Sequence, residues 1–360
     1  MDKFAPKPVT VITGFLGSGK TTLLSALLKK EEMKNVAVII NEFGEVGLDG
    51  ILIEHSKDQI VEMTSGCLCC TIRGDIRQTL LDLHSKRTNG DIPDFNRVIV
   101  ESTGLADPAP VVHTLMSDPL LDRRYMLGGV VTTVDALTGV VTLENHKECE
   151  KQVAVADRLV ITKTDLATSP DAQGSLGDLQ ARLSALNPTA IILDRNNAEF
   201  DHNRLFDTSL FDPDTKSINV CSWLNAEASS DHHSHGHNQG HDHDHHHHDV
   251  TRHGSDIRSF TLTFDEPVTI EAFASSLEAL SMTQGANLLR IKGIVNTVDR
   301  PEFPLVIHGV QHVFHDPVWL DGWPDDDHQT KLVFITNGIQ RETLDQFFKA
   351  WISSSKGHWR

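Results

Sequence analysis

A glycine-rich run near the N-terminus carries residue types and spacing suited to phosphate chemistry. Residues 14–21 read GFLGSGKT, which fits the GxxxxGK[ST] pattern between a strand-like run and a helix-like run. Glycines let the backbone wrap closely around phosphates, and the loop N–H groups and helix N-terminus attract the anion. We expect Lys20 to reach the β- and γ-phosphates as a catalytic residue, and the Thr21 hydroxyl to ligate Mg²⁺. The predicted nucleotide-binding residues of this loop are Gly14, Gly17, Ser18, Gly19, Lys20, Thr21 and Thr22.

An apolar run farther along ends in a carboxylate. Residues 98–104 read VIVESTG, a pattern similar to a Walker B element. We predict that Glu101 takes part in catalysis and holds Mg²⁺ through a water molecule, and that Gly104 offers its N–H group to the γ-phosphate. The alternative is a strand that ends in an ordinary surface glutamate.

A third motif bears on which base is bound, because the first loop does not distinguish ATP from GTP. Residues 162–165 read TKTD after a strand-like run and resemble the [NT]KxD motif of GTPases. The Asp165 carboxylate can accept hydrogen bonds from guanine N1–H and the 2-amino group, a donor pair that adenine lacks. The Lys163 stem can lie over the plane of the base. These residues predict guanine, against the alternative of an ordinary charged loop.

Three cysteines lie within four positions, in the run GCLCC. Cys67, Cys69 and Cys70 can converge on one ion if the backbone turns, and thiolates are ligands for Zn²⁺. Three thiolates leave a fourth position open, which suits a site that releases its metal. Spacing alone leaves two alternatives, which are small buried side chains and a redox-active thiol set.

Histidine is the compositional outlier, with 21 residues in the chain. Imidazoles on a flexible segment can bind Zn²⁺, Co²⁺, Ni²⁺ or Cu²⁺, and we interpret the tract between residues 232 and 248 as an auxiliary metal reservoir. The alternative is a solvated linker. The tract residues are His232, His233, His235, His237, His241, His243, His245, His246, His247 and His248. His308, His312 and His315 have mixed parity along one strand, so we expect ordinary surface or partly buried histidines there.

The surrounding sequence predicts the elements that position these residues. Residues 8–210 alternate strand-like β-branched runs with helical patterns, which predicts a parallel sheet covered by helices, the α/β fold of a P-loop NTPase. We assign residues 1–225 to this GTPase domain. Residues 226–256 have almost no apolar content and are predicted to be a disordered, histidine-rich metal-binding linker. Residues 257–360 predict a small α+β domain with helices on one face of an antiparallel sheet.

Composition excludes several classes of partner. The formal net charge of −18 argues against general nucleic-acid binding and against docking on anionic membranes. No apolar run approaches the roughly 20 residues of a membrane-spanning helix. The N-terminus lacks the pattern of a signal peptide, and the close cysteines do not suggest disulfides, so a cytoplasmic location is expected.

Taken in order, GFLGSGKTT, NEFGEVGLDG, SGCLCC, ESTGLADP and TKTD resemble the CobW family of P-loop GTPases, which are relatives of UreG and HypB. Residues 257–354 are similar to the small C-terminal domain of that family. The resemblance implies GTP hydrolysis coupled to delivery of a metal to a client metalloprotein. It implies that the cysteines of the CxCC motif carry zinc, as in the zinc-chaperone branch.

The resemblance also places residues 41–49 in the family's switch region. It implies that Glu42 and Glu45 are additional candidate oxygen ligands and that Asp49 approaches Mg²⁺. Co²⁺ and Ni²⁺ stay open as cargo, because thiolates and imidazoles accept several divalent ions. A homodimer is also left open. The alternative functions are a zinc store or sensor with incidental hydrolysis, and cobalt insertion in cobalamin synthesis or nitrile hydratase activation.

Overall fold

Short runs of β-branched residues form the first sheet, as their lack of polar alternation predicts. The computed structural model describes residues 5–30, 33, 35–41, 60–63, 72–198, 200–206, 256–324 and 326–355. All strand pairs in this sheet are parallel, in the order β3-β2-β4-β1-β5-β6-β7. Its strands are Lys7–Gly14 (β1), Val36–Asn41 (β2), Ile60–Met63 (β3), Arg97–Glu101 (β4), Tyr125–Asp135 (β5), Arg158–Thr162 (β6) and Ile191–Asp194 (β7).

Both faces of this parallel sheet are buried. In β1, Val9 and Val11 belong to one apolar cluster, whereas Ile12 belongs to the cluster on the opposite face. Ile39 and Val38 of β2 divide between the two clusters in the same way. Successive side chains of a strand point to opposite faces, so a strand covered on both sides must be apolar throughout.

Helices connect and cover these strands. The helical patterns of the sequence, at residues 21–32, 76–87 and 176–186, overlap α1, α2 and α7, whereas the sequence patterns do not single out β3 or helices α3–α6. The helices of this part are Lys20–Leu28 (α1), Ile72–Asn89 (α2), Ala109–Ser117 (α3), Pro119–Asp122 (α4), Gly139–Asn145 (α5), Lys147–Ala154 (α6), Pro170–Leu186 (α7) and Asn203–Phe206 (α8). None of the helices in the described ranges is both long and apolar enough to cross a bilayer.

The second sheet is antiparallel, as predicted for the C-terminal part. It follows the order β11-β10-β9-β13-β8, with β12 also paired to β10. Its elements are Ile257–Phe264 (β8), Ile270–Gln284 (α9), Leu288–Val295 (β9), Leu305–Val310 (β10), Val313–Phe314 (β11), Val318–Trp319 (β12), Thr330–Asn337 (β13) and Arg341–Ser355 (α10).

The two faces of the antiparallel sheet have different neighbours. Phe273 of α9 and Phe348 of α10 share an apolar cluster with Phe334 of β13, so both helices cover one face. On the other face, Leu289 of β9 joins the cluster that contains Val155, just after α6. The antiparallel sheet therefore packs against the parallel-sheet part through the segment that follows α6.

Candidate functional site

The loop between β1 and α1 requires glycine at its first position. Gly14 has a φ of 141°, and a Cβ there would lie 2.5 Å from the Thr133 carbonyl oxygen and 2.7 Å from Ser18 Oγ. Gly17 and Gly19 also have positive φ values, of 73° and 88°. Side chains disfavour these backbone conformations, so the glycine spacing of the motif follows from the shape of the loop.

Lys20 is largely buried beneath this loop. Its ammonium group donates hydrogen bonds to the Gly14 carbonyl at 2.8 Å and the Phe15 carbonyl at 3.1 Å. Carbonyl groups of the loop thus hold the positive charge at the helix N-terminus, where an anion is favoured. Thr22, also a predicted binding residue, lies in the first turn of α1 with an exposed side chain.

Two threonines fix the loop: Thr162, which begins the TKTD motif, and Thr133, which the sequence analysis did not identify. Ser18 Oγ lies 2.7 Å from Thr133 Oγ1, and the Ser18 carbonyl accepts a 2.8 Å hydrogen bond from Thr162 Oγ1. Thr133 lies near the carboxyl end of β5, beside β1, and Thr162 ends β6, the next strand in the sheet. The only sequence signal of Thr133 is its place near the end of a buried strand.

The two predicted magnesium ligands from α1 and β4 are in direct contact. Thr21 Oγ1 donates a hydrogen bond to Glu101 Oε1 at 2.9 Å, although 80 positions separate them in the chain. Glu101 is only 5% exposed and ends β4, the neighbour of β1. A hydroxyl and a carboxylate are hard oxygen donors of the kind that Mg²⁺ prefers. The pair therefore fits the predicted ion.

The segment after β4 lies against the phosphate loop. Ser102 Oγ donates to Thr13 Oγ1 at 2.8 Å. A Cβ added to Gly104 would lie 2.8 Å from the Leu16 backbone nitrogen, so the two backbones are in close approach. On its other side, buried Gln152 donates to the Gly104 carbonyl. The structure thus places Gly104 beside the loop, and it adds Gln152, which had no motif to mark it.

The predicted base-reading residues follow β6 at the same edge of the sheet. Lys163 adopts a φ of 60°, and its ammonium group lies 2.6 Å from Asp135 Oδ2. Asp165 is exposed, and its Oδ1 accepts a 2.7 Å hydrogen bond from Asn196 Nδ2. Asn196 also donates to Thr164 Oγ1 at 3.0 Å. Asp135 ends β5 and Asn196 lies two residues beyond the end of β7, and the sequence patterns predicted neither.

Several predicted ligands lie outside the described residues. These are Glu42, Glu45, Asp49, Cys67, Cys69, Cys70 and the histidine tract at residues 232–248. Residues 42–59 follow β2 in the chain and residues 64–71 follow β3, and both strands end at the carboxyl edge that carries the phosphate loop. Within the ranges that the structure describes, no group of three or more His, Cys, Asp or Glu residues is placed to share a metal ion.

Cys149 contributes no reactive thiol. It is 3% exposed in α6, and burial, followed by the charge of Glu150, raises its pKa to about 12. Thiolates are the nucleophilic and metal-binding form, so this thiol stays protonated and inert at neutral pH.

A buried charge cluster joins the two sheets. Arg290 of β9 donates to the Val155 carbonyl at 2.7 Å and forms an ion pair with Asp157, while Lys292 Nζ lies 3.3 Å from Asp157 Oδ1. Burial would raise the pKa of Asp157, but Arg290 and then Lys292 outweigh it and lower the value to about 2. Burial lowers the pKa of Lys292 to about 8, against the attraction of Asp157.

His308 corrects an expectation from the sequence. It is 1% exposed, rather than at or near the surface, and its ring centroid lies 4.7 Å from that of His315. Residues 305–315 form a tight hairpin of β10 and β11, not one strand, so Gly309 pairs with Phe314 and the two histidines become neighbours. Burial, followed by the charge of Arg290, lowers the pKa of both rings, that of His315 to about 4.

Comparison with known families gives two matches along the chain. Residues 8–194 match the family described as CobW/HypB/UreG, nucleotide-binding domain. Residues 257–352 match the cobalamin synthesis protein cobW C-terminal domain. The two matches correspond to the parallel-sheet part and the antiparallel-sheet part of the structure.

Similar proteins carry names that refer to zinc. The chain is 33% identical to the zinc chaperone YjiA of Escherichia coli over 335 residues, which cover 93% of this chain and 95% of that protein. It is 29% identical to the zinc chaperone CobW of Pseudomonas aeruginosa, with 96% and 91% covered. The crystal structure of the Zn(II)-bound YjiA GTPase from E. coli matches with a TM-score of 0.67 at 28% identity, over 96% of this chain and 99% of that one.

Proposed function

The chain belongs to the CobW/HypB/UreG family, and from that premise we propose that it is a GTP-hydrolysing metallochaperone that carries zinc to client metalloproteins. One observation carries the proposal. The glycine loop with Lys20, the Thr21–Glu101 pair and the Lys163–Asp165 motif lie at the same edge of one parallel sheet. That arrangement gives one nucleotide its phosphate, metal and base contacts together.

The described residues account for most of what phosphoryl transfer requires. Transfer to water depends on positioning and charge stabilisation more than on covalent chemistry. In the proposed reaction Lys20 and the loop N–H groups bind the β- and γ-phosphates, and Gly104 brings its backbone to the γ-phosphate. Thr21 and Glu101 would hold Mg²⁺, which supplies positive charge to the phosphate oxygens when bound. GTP is cleaved to GDP and phosphate.

The choice of GTP over ATP rests on Asp165. It can be tested by replacing one of the hydrogen-bond acceptors of this side chain with a donor. Asp165→Asn replaces one acceptor oxygen with a donor, so it should weaken GTP binding at least tenfold. The same change should favour xanthosine triphosphate, which carries an oxygen where guanine has the 2-amino group. Titration of the parent chain and the variant with GTP and with xanthosine triphosphate, with ATP as the control, measures the change in nucleotide preference. Equal binding of GTP and ATP by the parent chain would contradict the proposal.

Zinc enters the proposal through the cysteine run and the named relatives. Thiolates are preferred zinc ligands, and three of them in Cys67, Cys69 and Cys70 leave one position for a recipient. We place the transfer site there, with Glu42 and Glu45 as additional oxygen donors, Asp49 near Mg²⁺ and the histidine tract as a reservoir. The relatives named as zinc chaperones support zinc over Co²⁺ or Ni²⁺.

The chain order supports coupling between the two sites. Residues 42–59 and 64–71 follow β2 and β3 at the edge that carries the phosphate loop. We propose that the γ-phosphate orders residues 41–50 and 64–74 and that hydrolysis releases them, so that zinc affinity depends on the nucleotide. Zinc titrations with GDP and with a non-hydrolysable GTP analogue measure this dependence. Equal affinities in the two states would contradict the coupling.

Delivery to a client separates this function from its alternatives. We propose residues 1–225 as the GTPase domain, 226–256 as the metal-binding linker and 257–360 as the C-terminal domain. Partners captured by the chain loaded with the GTP analogue are assayed for metal before and after hydrolysis. Zinc gained by the partner supports the chaperone. Zinc that stays on the chain in both nucleotide states supports a store or sensor, and activation of a cobalt enzyme supports cobalt insertion.

A further inference from the structure

Gln152 is a buried carboxamide on α6 whose side chain bridges to another segment. It is 0% exposed, between Cys149 and Val153, which belong to an apolar cluster. A buried amide in apolar surroundings is unfavourable unless its hydrogen bonds are made. The hydrogen bonds of the Gln152 side chain therefore indicate why a polar residue is buried at this position.

Both contacts made by the Gln152 side chain reach the segment after β4. Nε2 donates to the Gly104 carbonyl at 3.2 Å and to the Ala106 carbonyl at 3.0 Å. Oε1 is buried, and it has no hydrogen-bond partner among the residues that the structure describes. The glutamine thus uses both amide hydrogens on one turn and leaves its acceptor unsatisfied, so its contribution lies in holding that turn.

The two carbonyls fix the orientation of the turn relative to the phosphate loop. A trans peptide places its C=O and the next N–H on opposite sides, so a Gly104 carbonyl directed at Gln152 turns the Leu105 N–H away from α6. A Cβ on Gly104 would lie 2.8 Å from the Leu16 nitrogen, so the turn is confined between the loop and the helix. Rotation of this peptide unit requires loss of the hydrogen bond that Gln152 donates to the Gly104 carbonyl.

We propose that Gln152 is a positioning residue that presets the turn at residues 104–106 for recognition of the terminal phosphate of the nucleotide. This inference rests on the proposed binding of GTP. In the proposed complex Lys20 and the loop N–H groups bind the β-phosphate of both GDP and GTP as well as the γ-phosphate, whereas the Gly104 backbone would contact only the γ-phosphate, which GDP lacks. Gln152 accordingly raises the preference for GTP over GDP without contacting the nucleotide.

The test compares GTP-analogue and GDP affinities in two variants of the full chain. Gln152→Met removes both donors at similar size, and Gln152→Glu keeps the shape but presents oxygens to the two carbonyls. Each should weaken binding of a non-hydrolysable GTP analogue about tenfold while GDP affinity changes less than twofold, because loss of two hydrogen bonds is of that order. Fluorescent-nucleotide titration gives both constants.

Asn187 supplies the matched control, because it is another buried carboxamide bound to the same helix. Its Nδ2 donates to the carbonyls of Val153, Ala154 and Ala156 at the end of α6, away from the turn. Asn187→Leu should lower thermal stability and leave the ratio of the two nucleotide affinities unchanged.

Three outcomes overturn the inference. Unchanged affinities for both nucleotides in both Gln152 variants remove the positioning role. An equal loss of GDP and GTP-analogue binding assigns Gln152 to the general fold. A parent chain that binds neither guanine nucleotide contradicts the proposed function itself, and with it the premise of this inference.

Discussion

His308 is a histidine that its buried surroundings keep neutral. It lies on β10 opposite Lys292 in the strand register, with Arg290 and His315 as charged or titratable neighbours. Neither ring nitrogen has a hydrogen-bond partner within the described ranges. Burial holds its pKa well below the ordinary value, so the imidazole is neutral and nonpolar contacts must stabilise it.

We expect His308→Leu to raise the free energy of unfolding and to reduce its dependence on pH. The unfolded chain takes up a proton at this position near pH 6.5 while the folded chain does not, so the parent loses stability as pH falls below about 6.5. Replacement should add about 1 kcal/mol at pH 7, since it removes an unsatisfied polar group. Urea denaturation between pH 7 and 5 gives both quantities. The exposed His328, changed in the same way, is the control, and an unchanged slope in His308→Leu would refute the expectation.

At the residue scale, motif spacing predicts which groups gather at the carboxyl edge of the parallel sheet, but not the residues that hold them there. Lys20, Thr21 and Glu101 could be predicted because phosphate and Mg²⁺ chemistry demands those residue types after buried strands. Gln152 and Asp135 could not, because a glutamine in a helix or an aspartate after a strand is common. Their roles arise from contacts with Gly104 and Lys163, 48 and 28 positions away in the chain.

At the scale of elements, Asp118 links three helices on one side of the parallel sheet. It directly follows α3 and caps α4, where its Oδ1 accepts from the backbone N–H groups of Leu120 and Leu121 at 2.8 and 3.1 Å. Its Oδ2 pairs with Arg77 of α2, the helix that follows the cysteine run in the chain. Burial opposes its charge, but the Arg77 hydrogen bond and the two N–H groups lower its pKa overall.

We expect Asp118→Ala to lower the free energy of unfolding by about 1 kcal/mol through loss of the cap. Asp118→Asn should lower it less, because asparagine also caps helices and only the ion pair is lost, in a partly exposed setting. The folded-state pKa lies below the unfolded value near 3.9, so the contribution is present above that pH and is lost as pH falls further. Urea denaturation at pH 7 and pH 3 measures the contribution of Asp118 to the free energy of unfolding, with Asp122→Ala at an exposed position as the control. A larger loss at pH 3 than at pH 7 would contradict this assignment.

Sequence patterns predicted elements best where hydrophobic periodicity is strong. β1, β2 and β4–β7 follow from buried β-branched runs, and α7 from the helical pattern at residues 176–186. The helix itself begins earlier, at Pro170, after Ser169, whose Oγ caps it. The hairpin of β10 and β11 was not predicted, because Gln311 turns the chain with a φ of 54° and carries no glycine signal. Non-glycine residues rarely adopt that conformation, so the pattern favoured one continuous strand.

At the scale of the whole molecule, one buried carboxylate connects the two sheets. Asp157 precedes β6 and accepts a hydrogen bond from Val130 of the parallel sheet at 3.0 Å, while Arg290 and Lys292 approach from the antiparallel sheet. No local pattern reveals that residues 133 positions apart will pair, which is why the contact between the sheets could not be predicted from the sequence. The cations and the carboxylate each depend on the other part of the chain for neutralisation.

The pKa values in this cluster determine how the stability of the folded chain changes with pH. The pKa of Asp157 is about 2, below its unfolded value, so its contribution to stability is present above about pH 4 and is lost as pH falls toward 2. The pKa of Lys292 is about 8, below the unfolded value near 10.4, so the folded chain releases this proton first. With respect to Lys292 alone, stability therefore increases as pH rises from 8 to about 10.

We expect Asp157→Asn to lower the free energy of unfolding by about 3–5 kcal/mol, because it leaves two buried cations without their carboxylate. Lys292→Met should change it by less than about 1.5 kcal/mol, since Arg290 still neutralises Asp157. Arg290→Met added to Asp157→Asn should recover part of the loss, so that the two changes together cost less than their sum.

Urea denaturation at pH 7 of the parent chain, Asp157→Asn, Arg290→Met and the double variant measures the coupling energy between Asp157 and Arg290. The exposed pair Arg182–Glu144, at 2.9 Å, is the control, and Glu144→Gln should cost about 1 kcal/mol or less. Additive losses for Asp157 and Arg290 would show that the pair does not act as a unit. A strongly non-additive result, with unchanged nucleotide affinity in every variant, would assign the cluster to docking of the two sheets rather than to the nucleotide site.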